Sequence, residues 1–275
     1  MSYGSEPASA SAQSYTVTSP DTTPLLRYDF VTRRLDTAAF VKVPQLRYVA
    51  VRTERSVSGS SLLNPIPVVD DYAVLPDGTI ALLRGSDYHV DFVAIDGSIT
   101  SGHKLPFDWQ RLTDEDKSRI IDSTRVVLET RRGNGSGGLV LSNPSAGTAG
   151  EPRIAATSIT VDGTTGARET TVATTAANQL PPILFVPPAD LSDYRPAFAS
   201  GAMRTDMEGR LWVRTIPTRP LAAGPEYDVI DRRGNLIERV VVPLGTTIVG
   251  FAAGDIVYLG IRDSAGSRLG RARAR

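Results

Sequence analysis

The sequence contains no cysteine, and this absence removes several classes of function. Disulfide frameworks, thiolate nucleophiles, zinc ribbons and cysteine-held iron–sulfur clusters all require cysteine side chains. Histidine is almost as scarce, because His89 and His103 are the only two, and two histidines cannot form a three-histidine zinc site. The G-x-S-x-G pattern of the α/β-hydrolase nucleophile is also missing. The sequence therefore excludes these cysteine, zinc and serine chemistries.

Long apolar runs and an excess of charge are missing as well. No apolar run approaches the roughly 18–20 residues that a membrane-spanning helix needs, so we expect no membrane span. Residues Met1–Glu6 have neither a basic patch nor an apolar stretch, so we expect no signal peptide. The 30 basic residues balance the 30 acidic residues, so no overall field attracts nucleic acid.

What the sequence does contain is a repeated turn followed by a strand. Gly78, Gly209 and Gly254 each come after a short apolar segment, and each is followed by apolar residues two and four positions later. A period of two, starting from a glycine that accepts a positive φ, is typical of a tight turn that leads into a β-strand. The three copies are Asp77–Leu82, Glu208–Val213 and Gly254–Tyr258.

A second repeated element predicts the strands that complete each unit. Tyr28–Arg34 aligns without gaps to Tyr227–Arg233, and Phe92–Gly97 is a looser copy. Each copy predicts a strand that ends in a polar turn before an outer strand. Four such strands in meander order form one propeller blade, and the 45 residues from Gly209 to Gly254 match the blade period of roughly 40–50 residues. We therefore predict an all-β fold of four-stranded antiparallel β-propeller blades over residues 23–275.

Three segments depart from this repeat. Residues 1–22 are rich in Ser, Thr, Ala and Pro and are predicted to be a flexible tail, with one strand near Tyr15–Val17. Residues 113–132 predict an inserted helix with Thr113 as its N-cap. Its apolar face comprises Ile120, Ile121, Thr124, Val127 and Leu128. Residues 133–182 are predicted to be a low-complexity insertion with a hairpin at Ser158–Val161.

The insertion begins with a glycine pattern that resembles a nucleotide-binding motif. Gly133–Gly138 matches G-x-G-x-x-G, which binds a dinucleotide when a strand precedes it and a helix follows it. Here a predicted helix precedes the pattern and a low-complexity stretch follows it. We therefore interpret the pattern as a linker and expect no cofactor there.

Three of these segments together resemble a known family. They are Tyr72–Gly78, Leu211–Val213 and Tyr227–Asp231. They are similar to the NHL-like six-bladed β-propellers of bacteria, in particular to a functionally uncharacterised group. The resemblance covers roughly residues 20–110 and 185–275 and corresponds to the C-terminal half of these longer proteins. It implies a propeller fold and an exported protein, in the periplasm or outside the cell. It carries no catalytic signature, so it assigns no functional residue.

Carboxylates within or beside the predicted strands are the main candidate site residues. They are Asp70, Asp71, Asp91, Asp96, Asp206, Asp228 and Asp231. Clusters of carboxylate oxygens bind Ca²⁺, and Asp70, Asp71, Asp206 and Asp228 form the metal-binding set of this hypothesis. The competing interpretation is that aspartates in blade turns accept hydrogen bonds from their own backbone. His89 and Asp91 alternate on one predicted strand face and could serve as a catalytic base pair directed at the propeller axis.

Two functional hypotheses remain open from the sequence. The first is a non-enzymatic β-propeller that binds a protein, a peptide or a glycan through the loops on one face and needs no cofactor. The alternative is a Ca²⁺-dependent propeller hydrolase or lactonase that uses channel aspartates, with His89 as the base and Asp91 as its partner. Inward-facing His and Asp side chains within hydrogen-bond reach would favour the enzyme.

Counting strands also predicts an interaction between copies of the chain. The repeats supply about three and a half blades, whereas closed rings have roughly four to eight. Either the Tyr15–Val17 and Gln45–Arg52 segments add strands to close a small ring, or two chains form a C₂ homodimer that completes a propeller. We expect the homodimer. Trp212 is predicted to lie in the core between two blades, and Phe107–Trp109 is predicted to be a core anchor for the helix.

Overall fold

The computed structural model describes residues 13–52, 57–133, 155–161, 168–174, 183–218, 224–263 and 266–274. These residues form 19 strands, one α-helix and a short 3₁₀ helix at Pro188–Asp190. The chain divides into a smaller unit (Met1–Ser19, Leu46–Pro65 and Asp114–Asp190) and a larger unit (Pro20–Gln45, Ile66–Thr113 and Leu191–Arg275).

The larger unit is built from four antiparallel sheets whose strands follow one another in chain order. Sheet I contains β2 (Thr22–Asp29) and β3 (Arg34–Lys42). Sheet II contains β6 (Asp71–Val74), β7 (Ile80–Arg84), β8 (His89–Val93) and β9 (Ile99–Ser101). Sheet III contains β13 (Phe198–Thr205), β14 (Leu211–Thr215), β15 (Glu226–Ile230) and β16 (Leu236–Val241). Sheet IV contains β17 (Thr246–Ala252), β18 (Ile256–Asp263) and β19 (Gly266–Arg273).

In sheets II and III each strand pairs with the next strand along the chain, so both are four-stranded antiparallel meanders. The predicted order of strands is therefore confirmed for these two sheets. The prediction of an all-β fold with one inserted helix is also confirmed, since the described residues outside loops are strands apart from one helix and one 3₁₀ turn.

The turns between strands follow the predicted aspartate chemistry. An aspartate carboxylate accepts hydrogen bonds from backbone N–H groups farther along its own turn, and the glycine in each turn has a φ of 80–87°. A glycine is favoured there because a side chain is strained at positive φ. The four turns are those of Asp77 with Gly78, Asp96 with Gly97, Asp206 with Gly209, and Asp231 with Gly234.

Consecutive sheets pack face to face through three apolar clusters. The largest joins sheets II and III and includes Leu83, Val90, Leu211 and Ile230, all of which are fully buried. A second joins sheets I and II, and a third joins sheets III and IV around Trp212. Since a fully buried side chain of this size stabilises a fold by about 1.5–3 kcal/mol, these contacts hold the sheets together.

The structure shifts the predicted alignment of Tyr28–Arg34 with Tyr227–Arg233 by three residues. The Asp29 carboxylate accepts hydrogen bonds from the backbone N–H groups two and three residues ahead. The Asp231 carboxylate accepts hydrogen bonds from the backbone N–H groups two and four residues later in the chain. Asp29 therefore corresponds to Asp231, whereas the sequence alignment pairs it with Asp228.

The corrected alignment makes the repeat regular. Equivalent side chains then face the same way in successive sheets. Those that pack towards the following sheet are Leu25, Phe92 and Tyr227. Their equivalents on the opposite face are Leu26, Val93 and Asp228, of which the last two contact the preceding sheet. Leu26 has no preceding sheet in the larger unit and is 58% exposed.

The outer face of sheet I is consequently apolar and exposed. Pro24 pairs with Phe40 and Tyr28 pairs with Leu35 across the two strands, on the same face as Leu26. The exposed fraction of the large apolar side chains on this face ranges from 46% at Tyr28 to 61% at Leu35 and Phe40. We refer to these five residues as the sheet I outer face.

The smaller unit contains a mixed sheet that departs from the blade pattern. Its strands are β1 (Gln13–Thr18), β4 (Arg47–Arg52), β5 (Val57–Leu63) and β12 (Leu184–Phe185). β1 pairs with β4, and β12 runs parallel to β5. The predicted tail of residues 1–22 therefore includes strand β1, while its first twelve residues lie outside the described residues. The predicted Tyr15–Val17 and Gln45–Arg52 strands pair with each other.

The inserted helix and hairpin lie in this smaller unit. Helix α1 spans Asp114–Gly133, so Thr113 precedes it as predicted. On its predicted apolar face Ile121 is buried, whereas Val127 is exposed. β10 (Ala155–Val161) pairs with β11 (Arg168–Thr174) and forms the predicted hairpin. The remainder of the predicted insertion, including the G-x-G-x-x-G linker from residue 134 onward, lies outside the described residues. Within the described part of the chain, no helix is both long and apolar enough to cross a membrane.

Candidate functional site

His89 lies between two carboxylates in sheet II. Its Nε2 is 3.1 Å from Asp91 Oδ1, so the predicted contact between these two residues is confirmed. Its Nδ1 is 2.7 Å from Asp87 Oδ1, a partner that the sequence did not indicate. Because both ring nitrogens contact carboxylates, neither is available to take a proton from a bound substrate.

The Asp91 carboxylate also has a structural role. Its Oδ1 accepts a hydrogen bond from Ser101 Oγ (2.6 Å), and its Oδ2 accepts one from Arg84 Nε (2.7 Å). Burial by itself raises the pKa of Asp91, but the Ser101 and Arg84 hydrogen bonds lower it more, and the net pKa is below the usual value. Arg84 also binds Asp70 (2.8 Å), so one guanidinium holds two of the candidate carboxylates.

The order of strands in sheet II separates His89 and Asp91 from the first strand of that sheet. β8 is the third strand of sheet II, two strands away from β6. The first strands of sheets II and III are the ones that approach each other, since Asp71 Oδ2 on β6 accepts a hydrogen bond from the Met203 N–H on β13 (2.8 Å). His89 and Asp91 therefore lie two strands away from β6, and their orientation towards a propeller axis stays a prediction.

Each of the four predicted metal ligands is bound by other groups of the protein. Asp70 binds Arg84, and Asp71 binds the backbone of β13. Asp206 accepts hydrogen bonds from Arg210 and from the Trp212 indole N–H (3.0 Å). Asp228 accepts hydrogen bonds from Tyr88 and Arg239. Within the described residues no group of three or more His, Cys, Asp or Glu side chains could hold a metal ion. Asp96 and Asp231 accept hydrogen bonds within their turns.

Asp228 belongs to a buried network between sheets II and III. Its Oδ2 accepts a hydrogen bond from the Tyr88 hydroxyl (2.8 Å), and its Oδ1 accepts one from Arg239 Nε (3.1 Å). Burial raises the pKa of Asp228, and burial next to this carboxylate raises the pKa of Tyr88. Burial likewise raises the pKa of Asp71. Tyr88 and Asp228 are fully buried, and the contacts of Asp228 and Asp71 join sheets II and III.

An open cleft of about 440 Å³ lies beside the His89 cluster in the larger unit. Trp109 and Tyr194 line it with rings at 90° to each other and centroids 6.5 Å apart. They are 37% and 46% exposed. Asp87 and Lys104 line the same cleft, with 3.6 Å between Lys104 Nζ and Asp87 Oδ2. This volume falls in the usual range for small-molecule sites.

Sequence reasoning found only part of this cleft. Phe107 packs against Tyr88 with centroids 5.7 Å apart, so its predicted core position is confirmed. The same prediction for Trp109 is wrong, because its ring lies at the surface of the cleft. Tyr194, Asp87 and Lys104 were not identified. No local pattern could reveal Tyr194, which is brought to Trp109 by pairing between Arg111 and Tyr194.

The side chains of the cleft set what it can do chemically. The two rings offer apolar faces, while Asp87, Lys104 and the Ser86 and Ser192 hydroxyls offer both donors and acceptors. Comparison of the whole chain with protein-family models, with curated proteins and with solved structures finds no match in any of the three.

Proposed function

We propose that this protein is a non-enzymatic binding protein of the β-propeller class, similar to the NHL-like family, and that the cleft of Trp109 and Tyr194 takes its ligand. Four sheets stacked in chain order, two of them complete meanders, support the propeller class. The exposed pair of perpendicular aromatic rings is the observation that carries the function, because exposed aromatic side chains grouped in a cleft are typical of binding sites.

A neutral glycan fits this cleft better than a charged ligand or a peptide. Asp87 and Lys104 compensate each other's charge, so the cleft does not select for a net charge. Sugar hydroxyls both donate and accept hydrogen bonds, as the polar side chains of the cleft also do. The C–H groups on one face of a sugar ring carry partial positive charge and are attracted to the negative face of an aromatic ring.

The two tryptophans allow a direct test. Trp109 is exposed in the cleft, whereas Trp212 is 2% exposed in the core. Neutral oligosaccharides of glucose, xylose and N-acetylglucosamine are titrated while tryptophan fluorescence is recorded. We expect a saturable change for at least one of them. Trp109→Ala should weaken its binding, measured by calorimetry, by at least about tenfold, as for a central aromatic anchor.

Matched variants and ligands separate the outcomes of this test. Tyr48→Ala removes an exposed aromatic side chain outside the cleft and should leave binding unchanged. Saturable binding of oligogalacturonate or of a proline-rich peptide in place of the neutral sugars would show that the cleft binds another class of ligand. Binding that survives Trp109→Ala, or a protein that binds none of these ligands, would contradict the proposal.

The contacts of His89 support a binding role over catalysis. A general base needs a nitrogen within reach of the proton that it removes. Here Asp87 and Asp91 occupy both nitrogens, and Arg84 and Ser101 fix Asp91 in turn. The hydrolase hypothesis also needs Ca²⁺ ligands that converge, whereas the four predicted ligands have protein partners: Arg84 for Asp70, the β13 backbone for Asp71, Arg210 for Asp206 and Tyr88 for Asp228.

We also propose that two chains form a homodimer that completes a propeller. The sheet I outer face supports this proposal, because the equivalent faces of sheets II and III are each covered by a preceding sheet. In a C₂ pair, sheet IV of a second copy would cover this face, and the reverse contact would be made at the other end. Natural proteins rarely leave so many large apolar side chains together in solvent.

Light scattering on the purified protein tests the homodimer. We expect twice the mass of the 29.4 kDa chain at micromolar concentration. Leu26→Glu and Phe40→Glu should shift the mass towards that of the monomer, because each places a charge in an apolar interface. Ile237→Glu alters an exposed apolar residue of sheet III and serves as the control. A compact monomer at all concentrations would overturn the proposal.

A further inference from the structure

A second cleft, of about 580 Å³, lies in the larger unit where sheets III and IV meet. Its lining includes three arginines, Arg214 at the end of β14, Arg262 near the end of β18 and Arg268 near the start of β19. Thr247 and Ser267 add hydroxyl groups. The residues that line this cleft include no aspartate or glutamate, so the lining is entirely cationic and neutral.

The arginines are only partly neutralised by the rest of the protein. Arg268 has one acidic partner, Asp263, at 3.2 Å, and both side chains are exposed. Within the described residues Arg214 and Arg262 make no ion pair. Three guanidinium groups around one cleft repel one another, and a bound anion would relieve this repulsion. The chain contains equal numbers of acidic and basic residues, so the charge of this cleft is a local feature and not a consequence of composition.

The three arginines of this cleft lie at the same end of sheets III and IV. β13 is the first strand of sheet III, and the β14–β15 connection lies beside the start of this strand. β17 is the first strand of sheet IV, and the β18–β19 connection lies beside its start. The arginines of the cleft therefore lie beside the starts of β13 and β17. They are Arg214, Arg262 and Arg268. The cleft of Trp109 lies at the corresponding ends of sheet II, next to the β7–β8 connection.

We propose that this arginine cleft binds an oxyanion group, such as the phosphate, sulfate or carboxylate of a larger ligand. Guanidinium groups match the planar pairs of oxygens in these groups and form charge-assisted hydrogen bonds with them. Hydroxyl groups such as those of Thr247 and Ser267 can donate to the remaining oxygens. This inference does not depend on the function proposed for the Trp109 cleft.

Calorimetric titration with simple anions tests the proposal. Inorganic phosphate, sulfate and citrate are each added at low ionic strength, and glucose is the uncharged reference. We expect saturable binding of at least one anion below about 10 mM, which weakens as salt is added because these charges are exposed to solvent. Comparison of the three anions distinguishes a tetrahedral phosphate or sulfate group from a carboxylate as the preferred ligand.

Arginine variants show whether the cleft is responsible. Arg214→Gln and Arg262→Gln should each weaken binding by about tenfold or more, the effect of losing a hydrogen bond to a charged group. Arg131→Gln removes an exposed arginine from helix α1, and its binding should stay within about twofold of the original protein, since it changes only the overall charge. Equal weakening in all three variants, or no saturable binding of any anion, would overturn the proposal. Unchanged melting temperatures confirm that the variants are folded.

Discussion

Replacing Trp212 by alanine is expected to lower the free energy of unfolding by about 3–5 kcal/mol, the usual range for a buried large aromatic side chain. The ring fills the space between sheets III and IV, and its centroid lies 5.2 Å from that of Phe251. The substitution also removes the hydrogen bond that the Asp206 carboxylate accepts from the indole N–H. Urea unfolding followed by circular dichroism measures the loss, which should appear as a lower midpoint.

Trp109→Ala is the matched control for this loss. It removes the same side chain from a surface where 37% of it is exposed, so the free energy of unfolding should fall by much less. Equal losses for the two variants would contradict the assignment of Trp212 to the core and of Trp109 to the cleft.

Asp228→Ala is expected to lower the free energy of unfolding by about 2–4 kcal/mol, because it leaves a buried hydroxyl group without its acceptor. Tyr88 is fully buried, and the Asp228 carboxylate is the partner that its hydroxyl contacts. Arg239 is less affected, since it is partly exposed and also donates to the Pro106 carbonyl group (2.6 Å). Urea unfolding of the variant measures the loss. Adding Tyr88→Phe should recover part of it, because the unpaired hydroxyl group is then removed.

The Asp228→Asn variant adds a pH dependence with a definite sign. Burial raises the pKa of Asp228 in the folded protein, so its stabilising contribution is complete below the unfolded pKa and is lost as the pH rises through the folded value. Asparagine does not titrate. The stability of the original protein relative to this variant should therefore fall as the pH is raised from about 4 to 8. A relative stability that increases over this interval would contradict the direction of the shift.

Local chemistry explains which parts of the fold could be predicted from the sequence. The turns of Asp77–Gly78 and Asp206–Gly209 each form from a few consecutive residues, and so do the strands that follow them. Helix α1 likewise follows from its own cap and apolar period. Trp212 could be assigned to the core because it lies among Leu211 and Val213 on a strand covered on both faces.

The faces of the strands were harder to predict, because register depends on turn length. In sheets II and III five residues separate the paired ends of the first two strands, whereas in sheet IV three residues separate Ala252 from Ile256. Val257 therefore packs against sheet III, although its equivalent by sequence, Trp212, packs against the following sheet. The same glycine pattern can thus precede strands whose equivalent side chains lie on opposite faces of their sheets.

Both clefts are formed by residues that are distant in the sequence. Tyr194 reaches Trp109 after the chain has passed through the smaller unit, and Arg214 reaches Arg262 through the stacking of two sheets. Pattern analysis cannot find such pairs, because no spacing within a turn or strand relates them.

The division of the chain has a consequence for its synthesis. Each unit is assembled from three separate segments, and the chain passes back and forth between the two units. Sheets I and II leave the ribosome before sheet III, whose strands cover Leu83 and Val90. The smaller unit must likewise wait for Leu184 and Phe185 before β5 gains its parallel neighbour. Neither unit can reach its native packing until most of the chain has emerged, so the nascent chain has an extended period in which apolar strands need protection from aggregation.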